Sequence, residues 1–281
     1  DDPPDGVDND NDGFVDNYMG WNFAYNSNNP QYTSSSHGVH VAGVASASTD
    51  NGVGVAGVGF KCKIMPLKIF NDNNVSVNSY EAIVYAAEHG CTVANCSWGS
   101  KFTYSQFAQD VITYATINKN MLVVAAAGND GNQGLFYPAS YEYVISVGAS
   151  NQKDCKWEYS NYGPFVDIFA PGQDIMNTWA NGTYYSVIGG TSFAAPIISG
   201  CAALLKSYRP DLTALQIGEQ LKVTSDKIDT LDCNYSYKNF MGAGRVNMFK
   251  AMTDFSKPSI VFSERYYTDN NDDVFISGDT I

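Results

Sequence analysis

Apolar residues run in unbroken blocks along this chain, and between the blocks they recur at spacings of three and four. CKIMPLKIF (62–70), CTVANCSWG (91–99), MLVVAAAG (121–128), YVISVGA (143–149) and FVDIFAPG (165–172) lack polar alternation. Such runs predict strands buried on both faces. VNSYEAIVYAAEHG (77–90) and SQFAQDVITYATINKN (105–120) have helical periodicity. SFAAPIISGCAALLKSYRP (192–210) predicts a long helix stopped by Pro210, followed by a second over LTALQIGEQLKV (212–223). Strands alternating with helices place the chain in the α/β class, as a three-layer αβα stack around a mainly parallel sheet. Residues 1–36 are acidic, Asn-rich and loop-like. From about Lys257 the pattern changes to short β-like segments, SIVFSERYY and DVFISGD. One domain is therefore expected over 1–256, with the start of a β-rich C-terminal module over 257–281.

The totals narrow the function. The chain has 281 residues, 44% of them apolar, enough for a large core. Its formal charge of −13 excludes nucleic acid as a natural partner, because phosphates would be repelled. No apolar run approaches the roughly 20 residues needed for a transmembrane segment. The chain opens DDPPDG, without a methionine or a signal peptide, and reads as a piece of a longer product. Six cysteines form no C-x-x-C pair. Cys91, Cys96 and Cys201 sit in apolar, buried-looking segments, whereas Cys62, Cys155 and Cys233 are the disulfide candidates, their pairing open.

There are only three histidines. His89 ends an amphipathic helix and reads as a solvated helix-end residue. His37 and His40 lie in SSSHGVHVAGVASA, a helix start with Ser34–Ser36 as candidate caps. Their H-x-x-H spacing lacks the glutamate and geometry of a zinc-protease helix. Ser192 stands in IGGTSFAAPIISG among small residues that leave room for a substrate. A serine becomes a nucleophile only when a positioned base takes its proton, and His37 opens a helix at a comparable loop-to-helix junction. Asn129, in AAAGNDG, is either an ordinary turn residue or an amide donor for a developing oxyanion.

Taken in order, these segments resemble the motifs of the subtilisin-like serine proteases. HGVHVAG resembles the histidine motif, with Val39 where threonine is usual. NCSWGS resembles the substrate-pairing strand, AAAGND the oxyanion motif, and APGQDIMNTW with GGTSFAAP the segments leading to the nucleophile, with Phe193 in place of the usual methionine. The likeness runs from about residue 5 to 250. It implies a serine endopeptidase in which His37 is the general base, Ser192 the nucleophile, and Asn129 an oxyanion donor alongside the Ser192 N–H. Ser97, Trp98 and Gly99 would line the cleft and pair with an extended polypeptide substrate. Tyr137–Pro138–Ala139 resembles a turn supporting that cleft, and Gly242–Gly244 with Arg245 a structural turn. The resemblance also implies a secreted or surface-held bacterial protein, a propeptide, and no organic cofactor. The family orients its histidine with an aspartate at the end of a buried strand. Nothing in residues 1–36 fits that pattern, so the strand is expected upstream of this chain. The alternative is a catalytically silent relative that binds a peptide or partner; a third reading is a calcium-stabilised surface module.

In DGVDNDNDGFVDN, Asp8, Asp10, Asp12, Gly13 and Asp16 fall at positions 1, 3, 5, 6 and 9 of a calcium loop, and Phe14 completes the candidate set. Position 12 is Met19 rather than glutamate. A solvated acidic loop is the competing reading. Calcium sites are common in the family, which favours a structural calcium ion.

Overall fold

The computed structural model describes residues 3–33, 36–101, 103–180 and 189–257. Among the described residues four strands make the central sheet: β3 (Val93–Cys96), β4 (Leu122–Ala126), β5 (Val144–Ser150) and β6 (Ile168–Pro171). They lie in chain order and every neighbouring pair is parallel, with Val93 opposite Leu122, Val123 opposite Val144 and Val147 opposite Ile168. All residues of β4 and β5 are buried, as their unbroken apolar runs require. β3 is half-exposed over its first three residues and lies at the edge of the sheet.

Helices cover both faces. On one face α4 (Thr191–Tyr208) and α5 (Ala214–Val223) pack Ile198, Leu205, Ile217 and Leu221 onto Leu122, Val124, Ile145 and Val147, with Ala251 of α6 (Met248–Thr253) joining them. On the other face α2 (Ser79–Glu88) and α3 (Gln106–Thr113) set Ile83, Val111 and Ile112 against Val123, Ala125 and Val144. The alternation of side chains along β4 sends Val124 to one layer and Val123 to the other. The result is the three-layer α/β stack that the pattern predicts. α5 begins with a capping box in which Thr213 and Gln216 satisfy each other's backbone N–H groups.

Three expectations are corrected. The strand expected over 62–70 shrinks to β2 (Leu67–Lys68), paired with β1 (Trp21–Asn22) in a separate two-stranded sheet. Pro66 cannot donate a ladder hydrogen bond, and Lys61, Lys63 and Ile64 are exposed. His89 is not solvated: Nδ1 bonds the Tyr85 carbonyl at 2.7 Å, Nε2 bonds Asp12 Oδ2 at 2.6 Å, and the ring stacks on Tyr85. Of the disulfide candidates, Cys155 pairs with Cys233 and Cys62 is free; Cys91 is half-buried, while Cys96 and Cys201 are buried as expected. The expected module over 257–281 lies, from residue 258 onward, outside the described residues.

Candidate active site

α1 (His37–Ser46) begins at His37. Its placement depends on close contact with the segment that follows β6: a Cβ at Gly43 would lie 2.0 Å from Thr178 Oγ1. Thr178 in turn donates from Oγ1 to the Val39 carbonyl and accepts His40 Nδ1 on its own carbonyl at 2.6 Å. The expected serine cap is not used as such. Ser36 is the N-cap residue, but its hydroxyl bonds His40 Nε2 at 2.9 Å; Ser34 and Ser35 lie outside the described residues. His40 is therefore a buried, doubly bonded residue that ties α1 down, and His37 is left facing the cleft. Burial holds the His37 pKa below the usual histidine value, with the nearby His40 adding to the effect. A base with a lowered pKa is neutral, and so able to accept a proton, at neutral pH.

Ser192 is the second residue of α4. At that position its backbone N–H has no intrahelical acceptor and points out of the helix start. Its Oγ lies 3.4 Å from the Ser97 carbonyl, a long contact that leaves the hydroxyl available.

Asn129 follows β4 and is exposed. Its Oδ1 accepts both the N–H and the hydroxyl of the fully buried Thr191, each at 2.9 Å. With the oxygen end of the amide fixed, the Nδ2 donor end is turned away from Thr191. Thr191 Oγ1 also accepts the Gly128 N–H at 3.2 Å, so one side chain locks the asparagine loop to the start of α4. Gly128 adopts a φ of 103°, and a Cβ there would lie 2.4 Å from Asn161 Nδ2. Only glycine permits both.

Asn161 is a residue that sequence reasoning missed. It is almost fully buried (1% exposed) and clamps this loop from below, with Nδ2 donating to the Ala127 carbonyl at 2.9 Å and Oδ1 accepting Asp130 N–H at 2.9 Å. The turn that carries it is held by buried Lys156, whose amine donates to the carbonyls of Trp157, Glu158 and Ser160 at 2.8 to 3.0 Å.

His37, Ser97, Trp98, Gly99, Asn129 and Ser192 line one cavity of about 230 Å³. The structure thus brings together all six catalytic and substrate-side candidates. It adds Phe70 and Phe136, which carried no local signal of their own, and Thr191 from the GGTSFAAP segment. The Phe136 ring sits where a side chain at Gly99 would fall, its Cε1 2.4 Å from that imagined Cβ. Among the described residues no carboxylate bonds His37.

The acidic loop splits the metal candidates. Carboxylate oxygens of Asp8, Asp10 and Asp12 lie within 4.8 Å of one another. Asp16 Oδ1 instead accepts the N–H groups of Asp5 and Gly6, and Phe14 donates its N–H to Asp12 Oδ1. The Phe14 ring packs edge-on to Trp21 and Tyr85.

Comparison with known proteins gives a consistent picture. The family model described as the subtilase family (Peptidase_S8) matches residues 5–244. The thermophilic serine proteinase of Bacillus sp. (strain AK1) is 39% identical over 236 residues, covering 83% of this chain and 56% of that protein. Thermitase of Thermoactinomyces vulgaris is 37% identical over 235 residues, covering 83% of this chain and 80% of that protein. A solved protease structure from Pseudoalteromonas arctica PAMC 21717 superimposes with a TM-score of 0.71 at 30% identity, covering 78% of this chain and 70% of that one.

Proposed function

This chain belongs to the subtilase family, and on that premise we propose that it is a serine endopeptidase whose nucleophile is Ser192. The observation that carries the reading is the convergence of His37, Ser192 and Asn129 on one cavity. Ser192 Oγ attacks the scissile carbonyl while His37 takes its proton. The developing oxyanion is met by Asn129 Nδ2 and the Ser192 N–H, both fixed before substrate arrives. The leaving amine takes the proton from His37, and water then hydrolyses the acyl-enzyme. Ser97, Trp98 and Gly99 form the cleft wall against which an extended polypeptide pairs.

The carboxylate that orients His37 belongs to a further strand. Half-exposed β3 supports this, since its outer edge has no strand partner among the described residues. A strand laid there would restore a sheet buried from end to end. Without it, loss of the orienting carboxylate is expected to cost about 10⁴ in kcat. The second reading, a silent relative that binds peptide in the cleft, is favoured instead by the lack, among the described residues, of a carboxylate bonded to His37.

Asp8, Asp10 and Asp12 gather three carboxylates in a small space, which suits a hard cation; the oxygens of Asp8 and Asp12 also accept loop N–H groups, with Asn17 and His89 on Asp12. A calcium ion there would neutralise their repulsion and hold the loop against the Phe14–Trp21–Tyr85 cluster; Asp16 and Phe14 serve the loop's own folding. Chelation should then lower the melting temperature in the wild type and not in Asp10→Asn. A secreted or surface-held location fits such stabilisation, as does the absence, among the described residues, of a helix long and apolar enough to cross a membrane.

The deciding experiment is labelling with a fluorophosphonate probe of the full-length gene product, this chain and Ser192→Ala. Labelling of the full-length protein that Ser192→Ala abolishes is the expected result. A folded full-length protein that never labels would overturn the protease reading in favour of a binding cleft.

A further inference from the structure

Helix α4 contains a proline at Pro196, four residues beyond Ser192. Proline has no N–H, so the Ser192 carbonyl lacks the donor that an α-helix would normally give it. A buried carbonyl without a donor carries a desolvation penalty, and here it belongs to the nucleophile itself. The hydroxyl of buried Ser97, on the segment after β3, fills the position and donates to Ser192 O at 2.7 Å.

A hydroxyl has one proton. Giving it to Ser192 O makes Ser97 Oγ an acceptor for anything else, and Asn95 Nδ2 donates to it at 2.9 Å. The Asn95 amide is oriented in turn by Ser199, whose Oγ donates to Asn95 Oδ1 at 2.9 Å and also lies 3.1 Å from the Ala195 carbonyl. Ser199 lies two helical turns beyond Ser192. The relay Ser199–Asn95–Ser97–Ser192 therefore fastens α4 to β3 on both sides of the proline.

We propose that Asn95 and Ser97 are positioning residues for the nucleophile, replacing the helical hydrogen bond that Pro196 removes. They fix the height and rotation of the first turn of α4, so that the Ser192 hydroxyl and N–H point into the cleft. Proline keeps the backbone from supplying its own donor. The orientation of the nucleophile is thereby set by the strand that forms the cleft wall. This rests on the protease reading above.

The proposal makes the Ser97 hydroxyl, though not the Ser97 backbone in the cleft wall, dispensable once residue 196 regains an N–H, and that is its test. The rate of fluorophosphonate labelling and the melting temperature are measured in the full-length gene product for wild type, Ser97→Ala, Pro196→Ala and Pro196→Ala/Ser97→Ala, with Ser192→Ala as the blank. Ser97→Ala should slow labelling about tenfold, the cost of one lost hydrogen bond to a buried acceptor. The double variant should label within about threefold of Pro196→Ala alone, a strong departure from additivity. Asn95→Asp, which keeps the acceptor for Ser199 and loses the donor to Ser97, should mimic Ser97→Ala, with the loss in kcat rather than KM. If Ser97→Ala costs the same factor whether residue 196 is proline or alanine, the positioning role is overturned and the protease reading stands. A folded wild type that does not label overturns both.

Discussion

Replacing Asn161 with alanine should both destabilise the domain and disable it. The substitution removes the donor to the Ala127 carbonyl and the acceptor for Asp130 N–H. Ala127 is fully buried, so water cannot replace the lost donor. An orphaned buried carbonyl costs about 1–3 kcal/mol, and the more accessible Asp130 N–H adds about 1 kcal/mol, for a total of roughly 2–4 kcal/mol. At about 2–4 °C per kcal/mol for a domain of this size, the melting temperature should fall by roughly 5–15 °C. The loop that loosens carries Asn129, so fluorophosphonate labelling at a temperature where the variant is folded should also slow. Asn161→Asp sharpens the test. It keeps the acceptor for Asp130 but turns a carboxylate oxygen onto the Ala127 carbonyl, which raises the folded-state pKa of the new acid. Folded protein then binds more protons than unfolded protein above the usual carboxylate pKa, and the variant loses stability as pH rises through that window. Acidification should return part of the loss, as the neutral acid can donate to Ala127 O. Melting curves for both variants between pH 4 and 8 supply the readout. An Asn161→Ala protein that melts with the wild type, or an Asn161→Asp protein whose deficit ignores pH, would refute the clamp.

Asn129→Asp keeps the acceptor for Thr191 but replaces the proposed oxyanion donor with a negative charge, and should lower kcat by at least about 10²–10³ with KM little changed; unchanged turnover would remove Asn129 from the proposed mechanism. Nuclear magnetic resonance titration of this chain should find His37 below the usual histidine value of about 6.5, because burial and His40 disfavour the imidazolium. Stability linked to that group therefore falls as pH drops below the unfolded value, and a His37 titrating above it would contradict the burial argument. Replacing Cys155 and Cys233 with alanine opens a loop with a sequence separation of 78. In the chain-entropy account this costs about 4.5 kcal/mol, and denaturant midpoints that coincide with and without the bridge would show that the account fails here.

The fold was legible wherever hydrophobic burial alone decides the outcome. The runs at 121–128 and 143–149 are buried on both faces, and such runs have few alternatives to a central parallel strand. The 62–70 run failed because Pro66 intervenes and because its partner, Trp21–Asn22, carries no strand signature of its own. Among site residues, His37, Asn129 and Ser192 stood out because each sits in a contiguous stretch of small residues, at a loop-to-helix junction for His37 and Ser192 and just past a strand for Asn129. Asn161 and Lys156 act through bonds to backbone atoms, and nothing adjacent in sequence marks them; Asn95 stands in the NCSWGS segment, but its bond to Ser199 is made only by the fold. The His89–Asp12 contact, across 77 residues, was hidden for the same reason.

The strictly sequential, all-parallel sheet has a consequence for how the protein is made. Each strand pairing waits on a crossover, and such non-local pairing is slow. α4, which seals one face of β4 and β5, is also the element that carries Ser192, and it emerges from the ribosome after all four strands. A nascent chain cannot complete its core without docking this helix, and cannot bring Ser192 to His37 and Asn129 before that moment. If Ser192 is the nucleophile, as proposed above, cleaving ability is thus withheld from every earlier, partly folded species, which are the ones most easily cut. On that proposal, the order of translation keeps the chain inactive until its core is closed.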